Sequence, residues 1–282
     1  MKRVAIIGLG LMGGSLGLAL KKSAGTIVAA FARRSETRRA ALETGAVDEV
    51  FDTPQAALRG ANVAVFCTPV LSIPALVESC LPAFEKGCVV TDVGSTKAEI
   101  VSRMAALGEG GGIRFVGSHP MAGAEKTGIE AARVDLYEGA VTVITPSPET
   151  ALADVDIITE LWRGVGARVI RLAPSMHDRL VARTSHLPHL IAALLVDTVS
   201  RDVTSPLKAL IGAGFRDTTR IAGGSSEMWH DIIKTNKPAI IEELQAYDKA
   251  LRDLIRLIES DQFEVVRALL EKQRVQRATL MG

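Results

Sequence analysis

Short apolar runs alternate with amphipathic stretches through the first part of the chain. The runs are nearly continuous in apolar residues, which is typical of strands that helices cover on both faces. We predict strands at residues 3–7, 26–31, 61–67, 88–92, 114–117, 140–145 and 168–171. Helices are predicted between them at residues 12–23, 35–42, 72–84, 96–106 and 148–165. This alternation predicts βαβ units with a mostly parallel sheet, and hence an α/β domain.

The strand pattern stops after about residue 173, and four helical stretches follow. They are predicted at residues 175–201, 225–236, 238–260 and 261–280. Apolar residues such as Leu244, Leu251 and Ile258 recur at helical spacing in the third stretch. We therefore predict an α/β domain over residues 1–172 and an all-α domain over residues 173–282.

A glycine-rich turn follows the first predicted strand. Residues 8–13 read Gly-Leu-Gly-Leu-Met-Gly, which is a G-x-G-x-x-G motif between a strand and a helix. Its glycines permit a tight turn, close approach of a pyrophosphate and close packing of helix on strand. We therefore expect a Rossmann-type dinucleotide-binding domain whose cofactor contacts include Gly8, Gly10, Leu11, Met12 and Gly13.

The end of the second predicted strand bears on the choice of cofactor. NAD-binding domains place an acidic residue there for the ribose hydroxyls, whereas this chain has Arg33, Arg34 and Ser35. The guanidinium fork matches a 2′-phosphate, so NADP is favoured and NAD stays open. The alternative is a pair of solvated arginines. Thr68 and Pro69, after the strand predicted at 61–67, are further expected cofactor contacts.

Composition excludes several other classes of protein. The chain has 33 basic and 32 acidic side chains and only 4% aromatic residues, so neither nucleic acid nor a membrane surface is an expected partner. Its three cysteines lack metal-type spacing and are expected to be reduced thiols in a cytoplasmic protein, without a bound metal.

The basic start and the uncharged run at residues 4–20 resemble a signal peptide. The glycines of the G-x-G-x-x-G motif account for that run, and we expect the mature chain to begin at Met1.

Candidate catalytic groups fall in three compact segments. His119 follows a predicted strand, at the sheet edge where doubly wound folds bind ligands. Pro188 interrupts the long helix beside two further histidines and predicts a kink there. Arg216 and Arg220 are four residues apart, hence on one helical face. The other histidines, His177 and His230, are interpreted as surface or hydrogen-bonded core residues.

Taken in order, these segments resemble those of the prephenate/arogenate dehydrogenases of tyrosine biosynthesis. The similarity covers nearly the whole chain and is carried by residues 8–13, 92–97, 118–123, 185–189 and 215–222, with Met228-Trp229. It implies an NAD(P)-dependent oxidative decarboxylation of a cyclohexadienol to a phenol. The substrate implied is prephenate, which would give 4-hydroxyphenylpyruvate, or alternatively arogenate, which would give tyrosine at the same site.

The resemblance also implies residue roles. His119 would accept the hydroxyl proton of the substrate, a task suited to histidine near neutral pH, and Ser95 would orient it beside the nicotinamide. Arg220 would bind a carboxylate of the substrate dianion. His189 and Ser185 match positions of the substrate pocket.

Arg216 and Glu125 are further candidates for substrate binding. Arg216 stands where relatives carry lysine, so the positive charge is kept while its geometry differs. Glu125 could answer the amine of arogenate, repel the side-chain carboxylate of prephenate, or belong to a gating ion pair. Ala124 replaces a hydroxyl residue that some relatives carry.

Two other functions are alternatives to that of a prephenate or arogenate dehydrogenase. A β-hydroxyacid dehydrogenase would carry a catalytic lysine on the long helix, but residues 178–201 contain none. A non-catalytic NADP-binding module would leave the histidine and arginine set unexplained.

The last two predicted helices are apolar on more than one face. The resemblance implies a homodimer through an all-α C-terminal dimerisation domain; the alternative is a monomer.

Overall fold

A six-stranded parallel sheet forms the first half of the molecule. The computed structural model describes residues 2–23, 25–108, 113–123, 126–202 and 204–281. The strands are β1 (Arg3–Ile7), β2 (Ile27–Phe31), β3 (Glu49–Phe51), β4 (Val63–Phe66), β5 (Val89–Asp92) and β6 (Arg114–Phe115). Their spatial order is β3-β2-β1-β4-β5-β6, so the order reverses between β1 and β4. Ligands of such sheets bind beyond the carboxyl ends of the strands at this switch point.

Helices cover both faces of this sheet and explain the continuous apolar runs. They are α1 (Leu11–Leu20), α2 (Ser35–Glu43), α3 (Pro54–Leu58), α4 (Ile73–Ser79), α5 (Ala98–Gly108) and α6 (Leu152–Gly164). One apolar core contains Leu16 and Trp162 with alternate residues of β1, and the other contains Ile73 and Met104. Every residue of β4 is therefore buried, whichever face it points to.

A second, three-stranded sheet carries the candidate histidine. It contains β7 (Gly117–Pro120), β8 (Val141–Thr145) and β9 (Arg168–Arg171), with β7 antiparallel and β9 parallel to β8. The single strand predicted at 114–117 is thus wrong: the chain leaves the parallel sheet after Val116, and His119 lies within a strand rather than after one. The reason is local: two residues after Val116, the Ser118 N–H donates to the Asp92 side chain instead of to a carbonyl of β5.

The helical part begins with an interrupted helix. The helices are α7 (Pro174–Val181), α8 (Leu187–Val199), α9 (Ser205–Ala209), α10 (Ala213–Thr219) and α11 (Ser226–Thr235). The interruption predicted near Pro188 takes the form of one π-helical turn, Ala182–His186, between α7 and α8. Arg216 and Arg220 belong to different elements, because α10 ends at Thr219 and a 3₁₀ turn begins at Arg220.

Two long helices end the chain, α12 (Lys237–Glu259) and α13 (Phe263–Met281). Contacts divide the chain into the compact units Met1–Lys237 and Pro238–Gly282, so helices α7 to α11 belong to the unit of the sheets. The domain boundary at 172/173 stays a prediction. Within the second unit, Leu251, Ile255 and Leu270 leave about half of their surface exposed. In the described ranges, no helix combines the length and apolar character that crossing a bilayer requires.

Candidate active site

The turn after β1 has the steric properties of a dinucleotide cradle. Gly8 has φ of +110°, and a methyl group there would come within 2.7 Å of the Cys67 carbonyl oxygen. A methyl group on Gly13 would lie 2.0 Å from the Gly8 carbonyl oxygen. Gly10, just before α1, would meet nothing within 4 Å. The first and third glycines are therefore required by the fold, while the second leaves room for a phosphate at the start of α1.

A cavity of about 780 Å³ opens beside this turn. It gathers six of the ten predicted cofactor residues, namely Gly8, Gly10, Arg33, Arg34, Thr68 and Pro69. Of the remaining four, Leu11 and Met12 pack against the core. Ser35 donates its hydroxyl hydrogen to Glu36. The size and the cradle fit a nicotinamide dinucleotide.

The cofactor cavity also has walls that the sequence interpretation missed. Thr37, Ser72 and Gly128 line it in addition to the expected residues. Arg38 donates to the carbonyl oxygens of Ala32 and Arg33, at 2.8 and 2.9 Å, and so fixes the backbone on which the arginines stand. These residues lie outside the glycine motif, and the sequence contains no signal that would have identified them.

A buried ion pair clamps the chain just before His119. Asp92, at the carboxyl end of β5, and Lys97 are both fully buried, and the Lys97 ammonium group donates to the Asp92 carboxylate. Lys97 Nζ also donates to the Ser118 carbonyl oxygen at 3.0 Å, and the Ser118 N–H donates to Asp92 Oδ1 at 3.1 Å. Trp162 Nε1 donates to the Ser118 hydroxyl oxygen. Both backbone groups of Ser118 are thus fixed, and with them the start of β7.

The partner of His119 is a second histidine. His119 Nδ1 lies 2.8 Å from Nε2 of His177, and the two rings meet edge to face. His177 Nδ1 lies 2.7 Å from Asp178 Oδ1. Among the hydrogen bonds of the described residues, none joins Ser95 to His119. Ser95 lies in the loop before α5, and its expected role in orienting His119 stays a prediction.

His177 is a functional candidate that the sequence did not indicate, since it was interpreted only as a surface or hydrogen-bonded core residue. It is buried and hydrogen-bonded, as a core histidine would be, but its partner is His119. A His-Asp pair in the first turns of a helix was the available signal. The pairing spans 58 residues of sequence, so local spacing gave no reason to connect the two rings.

Burial keeps His119 and His186 neutral at neutral pH. Loss of solvent lowers the pKa of His119 well below its ordinary value of 6.5, and the nearby Lys97 charge lowers it further. Burial also lowers the pKa of His186 to about 4. At neutral pH the His119 ring therefore has a free lone pair on one nitrogen, as a proton acceptor requires.

Three of the five predicted substrate residues line a second cavity. This cavity, of about 390 Å³, gathers Ser185, His189 and Arg220, together with Gly123 and Trp229. The π-helical turn and α8 supply the first two, and the 3₁₀ turn supplies the arginine. Arg220 makes contacts within the protein as well as facing the cavity.

The other two predicted substrate residues are not part of this cavity. Arg216 is not among its lining residues. Glu125, like its neighbour Ala124, lies outside the described residues. Their proposed roles therefore stay predictions.

Trp229 forms the aromatic wall of the substrate cavity. The His189 ring stacks on its indole with centroids 3.6 Å apart and 13° between the planes, while His186 meets it edge-on. A methyl group on Gly224 would come within 2.8 Å of Trp229 Nε1, so this glycine allows the stack to form. Burial lowers the pKa of His189. A neutral imidazole and an arginine thus face one apolar wall, which suits a ring that carries carboxylates.

Comparison with protein families agrees with this geometry. Residues 16–171 match the family model described as "Prephenate dehydrogenase, nucleotide-binding domain", and residues 173–272 match "Prephenate dehydrogenase, dimerization domain". The chain belongs to the prephenate dehydrogenase family. The predicted Rossmann-type fold with a helical C-terminal part is confirmed, and membership decides against a β-hydroxyacid dehydrogenase and against a non-catalytic module.

Individual relatives are similar over most of their length. The prephenate dehydrogenase of Bacillus subtilis (strain 168) is 33% identical over 93% of this chain and 71% of its own. A crystal structure of Aquifex aeolicus prephenate dehydrogenase with hydroxyphenyl propionate and NAD+ superposes with a TM-score of 0.92, at 30% identity over 99% and 98% of the chains. The arogenate dehydrogenase of Synechocystis superposes with a TM-score of 0.85, at 30% identity over 98% and 99%. This family member is therefore a dehydrogenase that uses a nicotinamide dinucleotide.

Proposed function

We propose that this chain catalyses the oxidative decarboxylation of prephenate to 4-hydroxyphenylpyruvate, a step of tyrosine biosynthesis. The observation that carries the proposal is the neutral His119, held by His177 and by the clamped Ser118. The segment after it leads into the cavity of Ser185, His189 and Arg220 through Gly123. A proton acceptor and a carboxylate-binding cation are thus brought to one part of the fold.

The cofactor accepts the hydride, while residues of the chain transfer the proton and bind the substrate. A bound nicotinamide supplies the acceptor for the hydride on the ring carbon that bears the hydroxyl group. His119 accepts the hydroxyl proton and returns it to the phenolic oxygen after the ring carboxylate has left as carbon dioxide. Arg220 pairs with a carboxylate of the substrate, and Ser185 and His189 contribute neutral hydrogen-bonding groups. Aromatisation of the ring drives the reaction.

The direct test is an assay with defined substrates. The purified chain is mixed with prephenate or arogenate and with NADP or NAD, and the absorbance of the reduced nicotinamide is followed. We expect reduction with prephenate. Faster turnover of arogenate would make arogenate the substrate at the same site, as for the similar Synechocystis enzyme. Failure of both substrates would contradict the proposed function.

Arg220→Gln is expected to raise the KM for prephenate by about 10²-fold with a small change in kcat, because a charge-assisted carboxylate contact of about 1.5–3 kcal/mol is lost in the ground and transition states alike. Steady-state kinetics at saturating cofactor measures this split. Arg201→Gln serves as the control, since Arg201 is an exposed arginine near the end of α8 that pairs with Asp197. An unchanged KM for Arg220→Gln would remove this arginine from substrate binding.

We infer that NADP is the preferred dinucleotide. Arg33 and Arg34 are exposed at the rim of the cofactor cavity, where the 2′-position of a bound adenosine would lie in a Rossmann-type domain. Replacing both by alanine is expected to lower kcat/KM for NADP by about 10²-fold and to leave the value for NAD within about threefold, because only NADP offers a phosphate to the lost charges.

Cofactor kinetics on matched variants checks this inference. Arg39→Ala is the control, because Arg39 lies on α2, which follows Arg34 directly, and pairs with Glu43 away from the cavity lining. Equal losses with NAD and NADP, or a preference of the unaltered enzyme for NAD, would overturn the assignment.

We propose that the protein is a homodimer built through its C-terminal helices. The second unit carries apolar side chains that are about half exposed, among them Leu251, Ile255, Phe263 and Leu270. Exposed apolar surface is typical of interaction sites, and these residues fall within the segment that matches the dimerization-domain model. Light scattering should give twice the chain mass of 29.9 kDa, and the mass of one chain would refute the proposal.

A cytoplasmic location is also proposed. Cys67, Cys80 and Cys88 are free thiols, and burial raises the pKa of Cys88 to about 12. Unreactive, unpaired thiols are typical of proteins in reducing compartments. Cell fractionation tests this proposal.

A further inference from the structure

The Asp178 carboxylate is a fixed hydrogen-bond acceptor at the start of α5. Its Oδ1 accepts the Lys97 N–H and its Oδ2 accepts the Ala98 N–H, each at 2.8 Å. Both oxygens of this carboxylate thus already act as acceptors of backbone N–H groups. A carboxylate only accepts hydrogen bonds, so the third neighbour of Asp178, His177 Nδ1 at 2.7 Å, must carry a hydrogen.

The hydrogen on His177 Nδ1 determines the next bond in the chain. A neutral imidazole with hydrogen on Nδ1 has its lone pair on Nε2. His177 Nε2 lies 2.8 Å from His119 Nδ1, so it accepts a hydrogen that His119 Nδ1 donates. The remaining nitrogen of His119, Nε2, then carries a lone pair. The direction of both hydrogen bonds, from His177 to Asp178 and from His119 to His177, therefore follows from the Asp178 carboxylate being an acceptor.

The opposite arrangement is disfavoured by the charges around His119. A doubly protonated His177 would donate from both nitrogens, so His119 would hold its hydrogen on Nε2 and lose its outward lone pair. It would also add a second buried cation near Lys97, whose charge already acts on His119. His186, whose pKa is lowered by burial to about 4, adds no further cation at neutral pH.

We propose that His177, held by Asp178, is a positioning residue that fixes the tautomer of His119 and so makes His119 Nε2 the atom that accepts the substrate proton. His177 itself is fully buried and lies one hydrogen bond behind His119. In the proton step the substrate O–H bond breaks, an N–H bond forms at His119 Nε2, and the electron pair stays on the oxygen. The catalytic consequence rests on the proposed function, whereas the tautomer does not.

The tautomer can be measured without substrate. Nitrogen-15 NMR of the full chain, labelled at its histidines, distinguishes a protonated ring nitrogen from one with a lone pair. Spectra of variants that lack one histidine assign the five rings. We expect hydrogen on Nδ1 of both His119 and His177 at neutral pH. Hydrogen on Nε2 of His119 would overturn the proposal, whether or not prephenate is turned over.

Kinetics separates a positioning role from a merely structural one. Glutamine at position 177 places an amide oxygen near the position of Nε2, while methionine has similar bulk without that acceptor. We expect His177→Met to lower kcat by about 10²-fold with little change in KM, and His177→Gln to recover most of that loss. In the methionine variant, the further substitution His119→Asn should cost less than it does in the unaltered chain, because residues that act as a unit are not additive.

An internal control is available for these variants. His230 also precedes an aspartate and lies with its Nδ1 3.1 Å from Asp231 Oδ1, but it is exposed. His230→Met should leave kcat unchanged. Equal activity of the methionine and glutamine variants at position 177 would refute the positioning role. If His177→Met fails to fold, the NMR measurement on the unaltered chain decides the proposal alone. If the unaltered chain does not turn over prephenate at all, that result counts against the proposed function and not against the tautomer of His119.

Discussion

Replacing His119 with asparagine is expected to lower kcat for prephenate by about 10²–10⁴-fold, the usual contribution of a general base. Asparagine is similar in size and still offers a hydrogen-bonding group, but it accepts no proton. His119 is not among the residues that line the cofactor cavity, so dinucleotide binding should survive the substitution. The loss is therefore expected in the chemical step rather than in cofactor affinity.

The pH profile makes this expectation specific. Burial lowers the pKa of His119 well below 6.5, and the neutral ring is the active form. In the unaltered enzyme, kcat/KM should therefore stay high as pH falls through 6.5 and decline only as pH falls through the lowered pKa. His119→Asn should abolish that acid limb. Stopped-flow kinetics measures the loss in turnover, and fluorescence titration with the reduced dinucleotide measures whether cofactor affinity is unchanged. A near-normal rate for His119→Asn would refute the role of His119.

Lys97→Met is expected to lower the free energy of unfolding by about 3–5 kcal/mol, because removing one member of a buried ion pair leaves the other charge without compensation. Lys97 and Asp92 are both fully buried, and the lysine also holds the Ser118 carbonyl oxygen. Methionine fills similar volume, so the expected loss comes from the uncompensated Asp92 charge and the missing hydrogen bonds.

Urea unfolding of three variants tests this prediction. Lys22→Met is the matched control, since Lys22 pairs with Glu138 where both side chains are about half exposed, and such pairs contribute at most about 1 kcal/mol. Adding Asp92→Asn to Lys97→Met should restore part of the stability, because the buried negative charge is then removed as well. A loss for Lys97→Met no larger than that of the control would contradict the importance of the buried pair.

The two predictions are connected through His119. The Lys97 charge lowers the pKa of His119, so its removal should raise that pKa and move the acid limb of kcat/KM to higher pH. The ion pair thus contributes twice: it fixes the backbone before His119, and it helps to keep the ring neutral.

The sequence by itself determined the features that depend on local backbone geometry. Gly8 and Gly13 are required by the turn whatever surrounds it, so the motif sufficed to predict a dinucleotide cradle. Continuous apolar runs sufficed to predict a buried parallel sheet, and Pro188 sufficed to predict an interrupted helix. Short elements without such signals, such as the three-residue strand β3, were missed.

Only the tertiary structure decided how distant side chains combine. His119 meets His177, Lys97 meets Asp92 at the end of a strand, and His189 stacks on Trp229. Each pairing depends on where a strand leaves one sheet for another or where a helix begins, and hydrophobic periodicity specifies neither position to within one residue. The sequence therefore identified His119 as a candidate base, but only the folded chain shows that its hydrogen-bond partner is His177 in α7, because hydrogen-bond partners are selected by ångström-scale geometry.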